Sequence, residues 1–199
     1  MVKSRKKLAI GLTASILCIT SVVGGTLAYF TDKDARSNVV TLGHVTGTLT
    51  ETGEHVREDN TTGKDYSNVK PGDVLAKDPT VNLKEDSEDA YVRVKIDYKG
   101  LTAEQAADIE AVLDIQEGWT KAEDGYYYYN NILSNKNDMP KSATLFTKVT
   151  IPTEWGNDEA DMTFNIDATA EFIQADNFTP VKDANGNITG WGSVNIKKA

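Results

Sequence analysis

The chain has 199 residues, 30 of them acidic and 21 basic, for a formal net charge of −9, and one cysteine. Such an excess of acid repels nucleic acid and anionic lipid, and a lone cysteine excludes a disulfide framework. The length suits one domain that can bury roughly 70% of its unfolded surface, so a core without staples is within reach.

Residues 1–28 have the three parts of a secretory signal peptide: a basic head (Lys3, Arg5, Lys6, Lys7), an apolar middle from Leu8 to Val23, and small residues at Thr26 and Ala28 ahead of a cut before Tyr29. The alternatives are a retained anchor and a lipoprotein. The apolar run is 16 residues long and holds Thr13, Ser15, Thr20 and Ser21, whereas a spanning helix needs about 20 apolar residues. Bulky Leu17 precedes Cys18, mid-run, where lipid modification wants a small residue. Export with cleavage after Ala28 is therefore expected, with a mature form that does not span a membrane. Removing four basic residues and no acidic one leaves 17 basic against 30 acidic, a charge of −13, and takes away Cys18. The expected division is a signal peptide over 1–28, an N-terminal segment over 29–42 and one domain over 43–199.

Tyr29 to Asn38 is polar apart from two aromatics at the new end. Val39 to Thr50 is rich in β-branched residues and predicts one or two strands. Glu51 to Asn68 has no periodicity and predicts a loop, and Val69-Lys70-Pro71-Gly72-Asp73 a turn. Ala90 to Tyr98 is the clearest strand, with Val92, Val94 and Ile96 on one face and Arg93, Lys95 and Asp97 on the other. Lys95 is then solvent-facing, which argues against a buried isopeptide bond. Thr102 and Gln105 have capping-box spacing, and Ala106, Ile109, Val112 and Leu113 share a side, so one amphipathic helix is expected to end near Gln116-Glu117-Gly118.

Trp119 to Tyr129 predicts a hairpin turned at Asp124-Gly125, with the four tyrosines Tyr126–Tyr129 as a strand carrying aromatics on both faces rather than a carbohydrate platform. Leu145, Val149 and Ile151 alternate with Phe146, Lys148 and Thr150 until Pro152. Met162 to Phe172 alternates over eleven residues as a long strand with one apolar face. A last hairpin turns at Asn185-Gly186 between Val181-Lys182 and Ile188 to Trp191. Strands outnumber helices, which predicts a mainly β fold: an antiparallel jelly-roll or immunoglobulin-like β-sandwich with one short helix in an insertion.

Catalytic signals are sparse. His44 and His55 are each followed by valine, so no His-Glu-x-x-His zinc arrangement forms, and no nucleophile elbow, phosphate loop or CxxC pair is present. Asp183-Ala184-Asn185-Gly186-Asn187 departs from a calcium loop in its glycine position and lacks the closing glutamate. Glu85-Asp86-Ser87-Glu88-Asp89 is a solvated turn that allows at most a weak calcium contact. No cofactor, metal ligand or catalytic residue is assigned. A glycan-binding adhesin using Tyr126–Tyr129, Trp119, Trp155 and Trp191 is a weaker alternative, and Ser193 to Ala199 carries neither a wall-sorting motif nor a hydrophobic tail.

Several stretches resemble one family. Gly25-Thr26-Leu27-Ala28-Tyr29-Phe30-Thr31-Asp32 is similar to the signal-peptide ending handled by the SipW type of signal peptidase. Val69-Lys70-Pro71-Gly72-Asp73 followed by Ala90 to Lys95, the Gly125 to Asn130 hairpin, Leu145 to Val149 and Ala170 to Phe178 resemble the TasA, camelysin and BsaA group of Gram-positive exported proteins. The resemblance implies a jelly-roll-like sandwich in extracellular fibres of the biofilm matrix, homopolymers joined by strand donation from the N-terminus. Tyr29, Phe30 and the strand around Val39, Val40 and Leu42 are then the assembly residues. The camelysin branch implies the competing reading, a cell-surface metallopeptidase.

Overall fold

The computed structural model describes residues 31–34, 45–58, 60–156, 159, 162–176 and 178–194, the first four through their backbone. In chain order the elements begin with β1 (Thr31–Asp34), β2 (Gly47–Thr50), β3 (His55–Val56), β4 (Thr62–Gly63), β5 (Val74–Ala76), β6 (Thr80–Leu83) and β7 (Ala90–Lys99). They continue with α1 (Ala103–Ala111), β8 (Trp119–Lys121), β9 (Tyr126–Tyr129), β10 (Ser142–Thr144) and β11 (Lys148–Thr150). The last are β12 (Asn165–Gln174), β13 (Val181–Lys182) and β14 (Ile188–Gly190).

The alternation from Ala90 onward makes β7, and it pairs along its whole length with β12, from Asn165 opposite Lys99 to Gln174 opposite Ala90. These two form the centre of a five-stranded sheet in the order β1-β12-β7-β9-β8. A second sheet has the order β10-β6-β2, and the two-stranded ladders β11-β5, β13-β14 and β3-β4 complete the antiparallel pairings. The fold is mainly β with one short helix, as the sequence predicts.

The main core lies between the two larger sheets. Val92, Val94 and Ile96 of β7 and Ile166, Ala168, Ala170 and Phe172 of β12 meet Val81 and Leu83 of β6 and Ala143 of β10, with Ile109 of α1 closing one side. A second apolar cluster covers part of the opposite face of the five-stranded sheet: Tyr128, Ile173, Phe178, Ile188 and Trp191. The sheet is therefore buried on both faces near Ile173.

That second cluster corrects the expectation of a single apolar face along β12. Glu171 lies on the face assigned to solvent, yet it is 2% exposed. The strand also begins at Asn165, three residues after Met162. Other boundaries shift for local reasons. The loop over Glu51 to Asn68 contains the β3-β4 hairpin, closed by Arg57 N–H on Thr61 O at 2.8 Å. The capping box forms as expected, but α1 stops at Ala111, because the Gln116 N–H donates to Leu145 O (2.9 Å) and Asp114 turns to the amides of Thr147 and Lys148. Those same bonds break the run from Leu145 to Ile151, so that β10 pairs with β6, β11 pairs with β5, and Leu145 and Phe146 are both buried between them.

The Asp124-Gly125 and Asn185-Gly186 hairpins form where the sequence places them, with Gly125 and Gly186 at φ +82° and +85°. Lys95 is exposed.

Candidate assembly site at the edge of the five-stranded sheet

β12 has one flank sealed by β7 over ten residues and the other met by β1 over four: Thr31, Asp32, Lys33 and Asp34 pair with Ile173, Phe172, Glu171 and Ala170. β1 is thus the outermost strand, and its described register ends at Asp34, while β7 follows β12 down to Asn165. A short outer strand on a long inner one is held chiefly by main-chain hydrogen bonds, the same bonds an equivalent strand from another chain can make.

A cleft of about 780 Å³ opens beside the Asn165–Ala168 end of β12, between it and β2. Leu49, Leu75, Val149, Ile151 and Ile166 line its apolar part. Its polar wall carries Lys77 paired with Glu51 at 2.5 Å, Arg57 paired with Asp65 at 2.8 Å, and Lys64, which reaches Asp78 outside the cleft at 2.8 Å. Burial by itself would raise the Asp78 carboxyl, but the hydrogen bonds from Lys64 and Thr52 outweigh it and hold its pKa below the ordinary value. Glu51 Oε2 is buried and has no hydrogen-bond partner among the described residues. β2 is held against β12 by contact between Gly47 and the Phe172 ring, where a Cβ would fall 2.2 Å from Cζ.

On the face away from the cleft, β12 carries a charged side chain in the second cluster. Arg93 Nη2 and Nε donate to Glu171 Oε2 at 2.7 and 2.9 Å, and Arg93 Nη1 donates to the Tyr128 hydroxyl at 2.9 Å. The guanidinium lies 3.9 Å from the Tyr126 ring centre and 4.5 Å from that of Trp191. Burial alone would lower the Arg93 pKa; the bonds to Tyr128 and Glu171 reverse that and raise it. Alternation gave no hint of this pair. The available signal was the consecutive Phe172-Ile173, which breaks the period of two and marks a strand covered on both sides.

The cleavage residues Thr26, Ala28 and Tyr29 and the assembly residues Phe30, Val39, Val40 and Leu42 lie outside the described residues, as do Cys18 and His44. Tyr126–Tyr129 present aromatics to both clusters, as expected for a structural strand. Trp119, Trp155 and Trp191 are 8%, 7% and 4% exposed, which leaves no tryptophan face for a glycan. His55 bonds Asp65 at 2.9 Å. Asp183 accepts the Asn185 and Asn187 amides of its own turn, the hairpin arrangement.

No group of three His, Cys, Asp or Glu that could hold a metal ion occurs among the described residues, so the described donor set does not fit a zinc centre. No helix among the described residues is long and apolar enough to cross a membrane.

No curated protein and no solved structure matches the chain. The sequence model of the family described as camelysin metallo-endopeptidase matches residues 3–112, more than half of the 199 residues. The match runs from the basic head, through β1 and the cleft wall, to the end of α1. The chain accordingly belongs to the camelysin family, the TasA/camelysin group of secreted or cell-surface proteins.

Proposed function

We propose that the chain is an exported structural subunit that polymerises into extracellular fibres of the biofilm matrix, each copy donating the strand that follows Tyr29 to the β12 edge of the next. The observation that carries this reading is the pairing of Thr31–Asp34 as the outermost strand on Ala170–Ile173. Thr31–Asp34 form a strand that β12 accepts, starting two residues after the expected new terminus, and the cleft lies beside Asn165–Ala168, beyond the end of the described register. Residues 1–28 act as the leader, removed by a signal peptidase of the SipW type, 29–42 as donor and 43–199 as acceptor body. The copies are each other's partners.

The energetics favour cooperation between side chains and main chain. Burying Tyr29 and Phe30 contributes about 1.5–3 kcal/mol each, against an association cost of about 4–15 kcal/mol. Pairing along Thr31 to Leu42 supplies the remainder at about 1 kcal/mol per net hydrogen bond. Before cleavage the leader masks Tyr29 and Phe30, so assembly waits for export.

The test is negative-stain electron microscopy of residues 29–199 with a native N-terminus at Tyr29, beside the same protein tagged at that end. Fibres only from the free end support donation; globular particles in both samples remove it. Deleting residues 29–38 is expected to leave a folded monomer that forms no fibres, and fibres of normal length from it would equally sink the reading.

A further inference from the structure

One cross-strand row runs through all five strands of the large sheet at Glu171. Lys33 of β1 is the register partner of Glu171 of β12, Glu171 of Arg93 of β7, Arg93 of Tyr128 of β9, and Tyr128 of Thr120 of β8. Within it the Arg93 guanidinium faces two carboxylates, Glu171 at 2.7 Å and Asp124 at 3.9 Å. Asp124 also accepts the Tyr128 hydroxyl at 2.6 Å. One guanidinium thus serves two carboxylates here, and the residue in register with Glu171 on β1 is a lysine.

The neighbours of Lys33 sharpen the point. Asp32 and Asp34 flank it, in register with Phe172 and Ala170. Sliding β1 by one residue in either direction would set Asp34 or Asp32 opposite Glu171, carboxylate against carboxylate. The observed register is the one that sets a lysine position opposite Glu171. Opposite charges directly across an antiparallel pair stabilise it and like charges destabilise it, and burial of Glu171 leaves little solvent to screen the difference. A one-residue slip would also reverse which face each side chain takes, so a device against it has structural value on a strand with few apolar residues to fix its register.

We propose that Asp32-Lys33-Asp34 is a charge key read by Glu171, and that it sets the register of the N-terminal strand on β12, in its own chain and, resting on the strand-donation reading, in the next copy.

The experiment is disulfide trapping in the full chain secreted from a Cys18→Ser background, so that the introduced cysteines are the only ones. Thr31→Cys is combined with Ile173→Cys for the observed register, and with Phe172→Cys or Gln174→Cys for the two one-residue slips. With the native triplet, the 31–173 bond is expected to dominate. Lys33→Met should lower its share relative to the slipped pairs by about fivefold, in keeping with the size of cross-strand charge pairs. Reversing the triplet (Asp32→Lys, Lys33→Asp, Asp34→Lys) should make a slipped pair dominant. Equal ratios in all three backgrounds, or no cross-link in any pair, would overturn the key. Non-reducing electrophoresis separates the two ideas. Bonds within single chains whose ratio follows the triplet support the key and remove donation; bonds between chains whose ratio ignores the triplet support donation and overturn the key.

Discussion

Arg93 and Glu171 meet across adjacent central strands at 2.7 Å, with 15% and 3% of their side chains exposed, under the rings of Tyr126 and Trp191. A buried pair of this kind holds its partners in place at a desolvation cost, and removing one side leaves the other buried without its main counter-charge. Glu171→Ala or Arg93→Ala is expected to destabilise the fold by about 3–5 kcal/mol, whereas Arg93→Met with Glu171→Leu should recover most of the loss. Denaturant unfolding of the three variants checks both parts, and a double variant no more stable than the singles would contradict the account.

Gly47 is required by space, not by backbone angle. A Cβ there would lie 2.2, 2.4 and 2.7 Å from three atoms of the Phe172 ring. Gly47→Ala should cost about 1–3 kcal/mol by overpacking, and Phe172→Leu in the same chain should return part of it. Thermal melts of the single and double variants measure the coupling.

Acid should loosen the fold through particular carboxylates. For Asp78, Asp89 and Asp114 burial alone would raise the pKa, but hydrogen bonds from Lys64 and Thr52, from Lys136 and Ser134, and from Thr147 and Lys148 lower it below the ordinary value. A depressed folded-state pKa contributes stability that is present above the unfolded value, about 3.9 for aspartate, and is lost as pH falls through the folded value. Unfolding midpoints should therefore drop below about pH 4 and stay flat above it as far as these groups are concerned. Asp114→Ala, which hands the exposed Thr147 and Lys148 amides to water, should cost about 0.5–1.5 kcal/mol at neutral pH and shrink the acid loss. An unchanged pH profile in that variant would count against the assignment.

Fibre growth should respond to ionic strength. On the proposed cleavage after Ala28 the chain carries 17 basic and 30 acidic residues, and copies of such a polyanion repel each other. At 0.15 M salt the screening length is about 8 Å against about 30 Å at 0.01 M, so assembly should accelerate with salt, and further with calcium if carboxylates bind it. Turbidity or light-scattering rates at several salt and calcium concentrations decide this; equal rates would remove repulsion as the brake.

The family description raises proteolysis, while the described residues gather no metal-holding group. The expected result of incubating purified residues 29–199 with casein is no cleavage above background, with or without chelator. Chelator-sensitive cleavage would reverse the structural-subunit assignment.

Much of the architecture follows from local physics that the sequence displays by itself. The alternation of Val92, Val94 and Ile96 determines β7, the spacing of Thr102 and Gln105 determines where α1 begins, and Asp-Gly and Asn-Gly pairs determine two hairpins, because side-chain period, capping and left-handed backbone are properties of a few neighbouring residues. The basic head and short apolar run of residues 1–28 likewise carry the expectation of export. What only tertiary structure decided depends on strands far apart in sequence. Glu171 has the alternation of a solvent-facing residue, and it is buried because Arg93 and Tyr126 from neighbouring strands close on it, on the face that the apolar cluster of Tyr128, Ile173, Phe178, Ile188 and Trp191 partly covers. Asp114 ends the helix because Thr147 and Lys148 come within its reach. The site itself was legible only in part: the family resemblance pointed to the N-terminal segment as the part to examine, but that Thr31–Asp34 lie against Ala170–Ile173 is decided by pairing across the sheet, and no local pattern records the identity of a partner 138 residues away, as Lys33 is from Glu171.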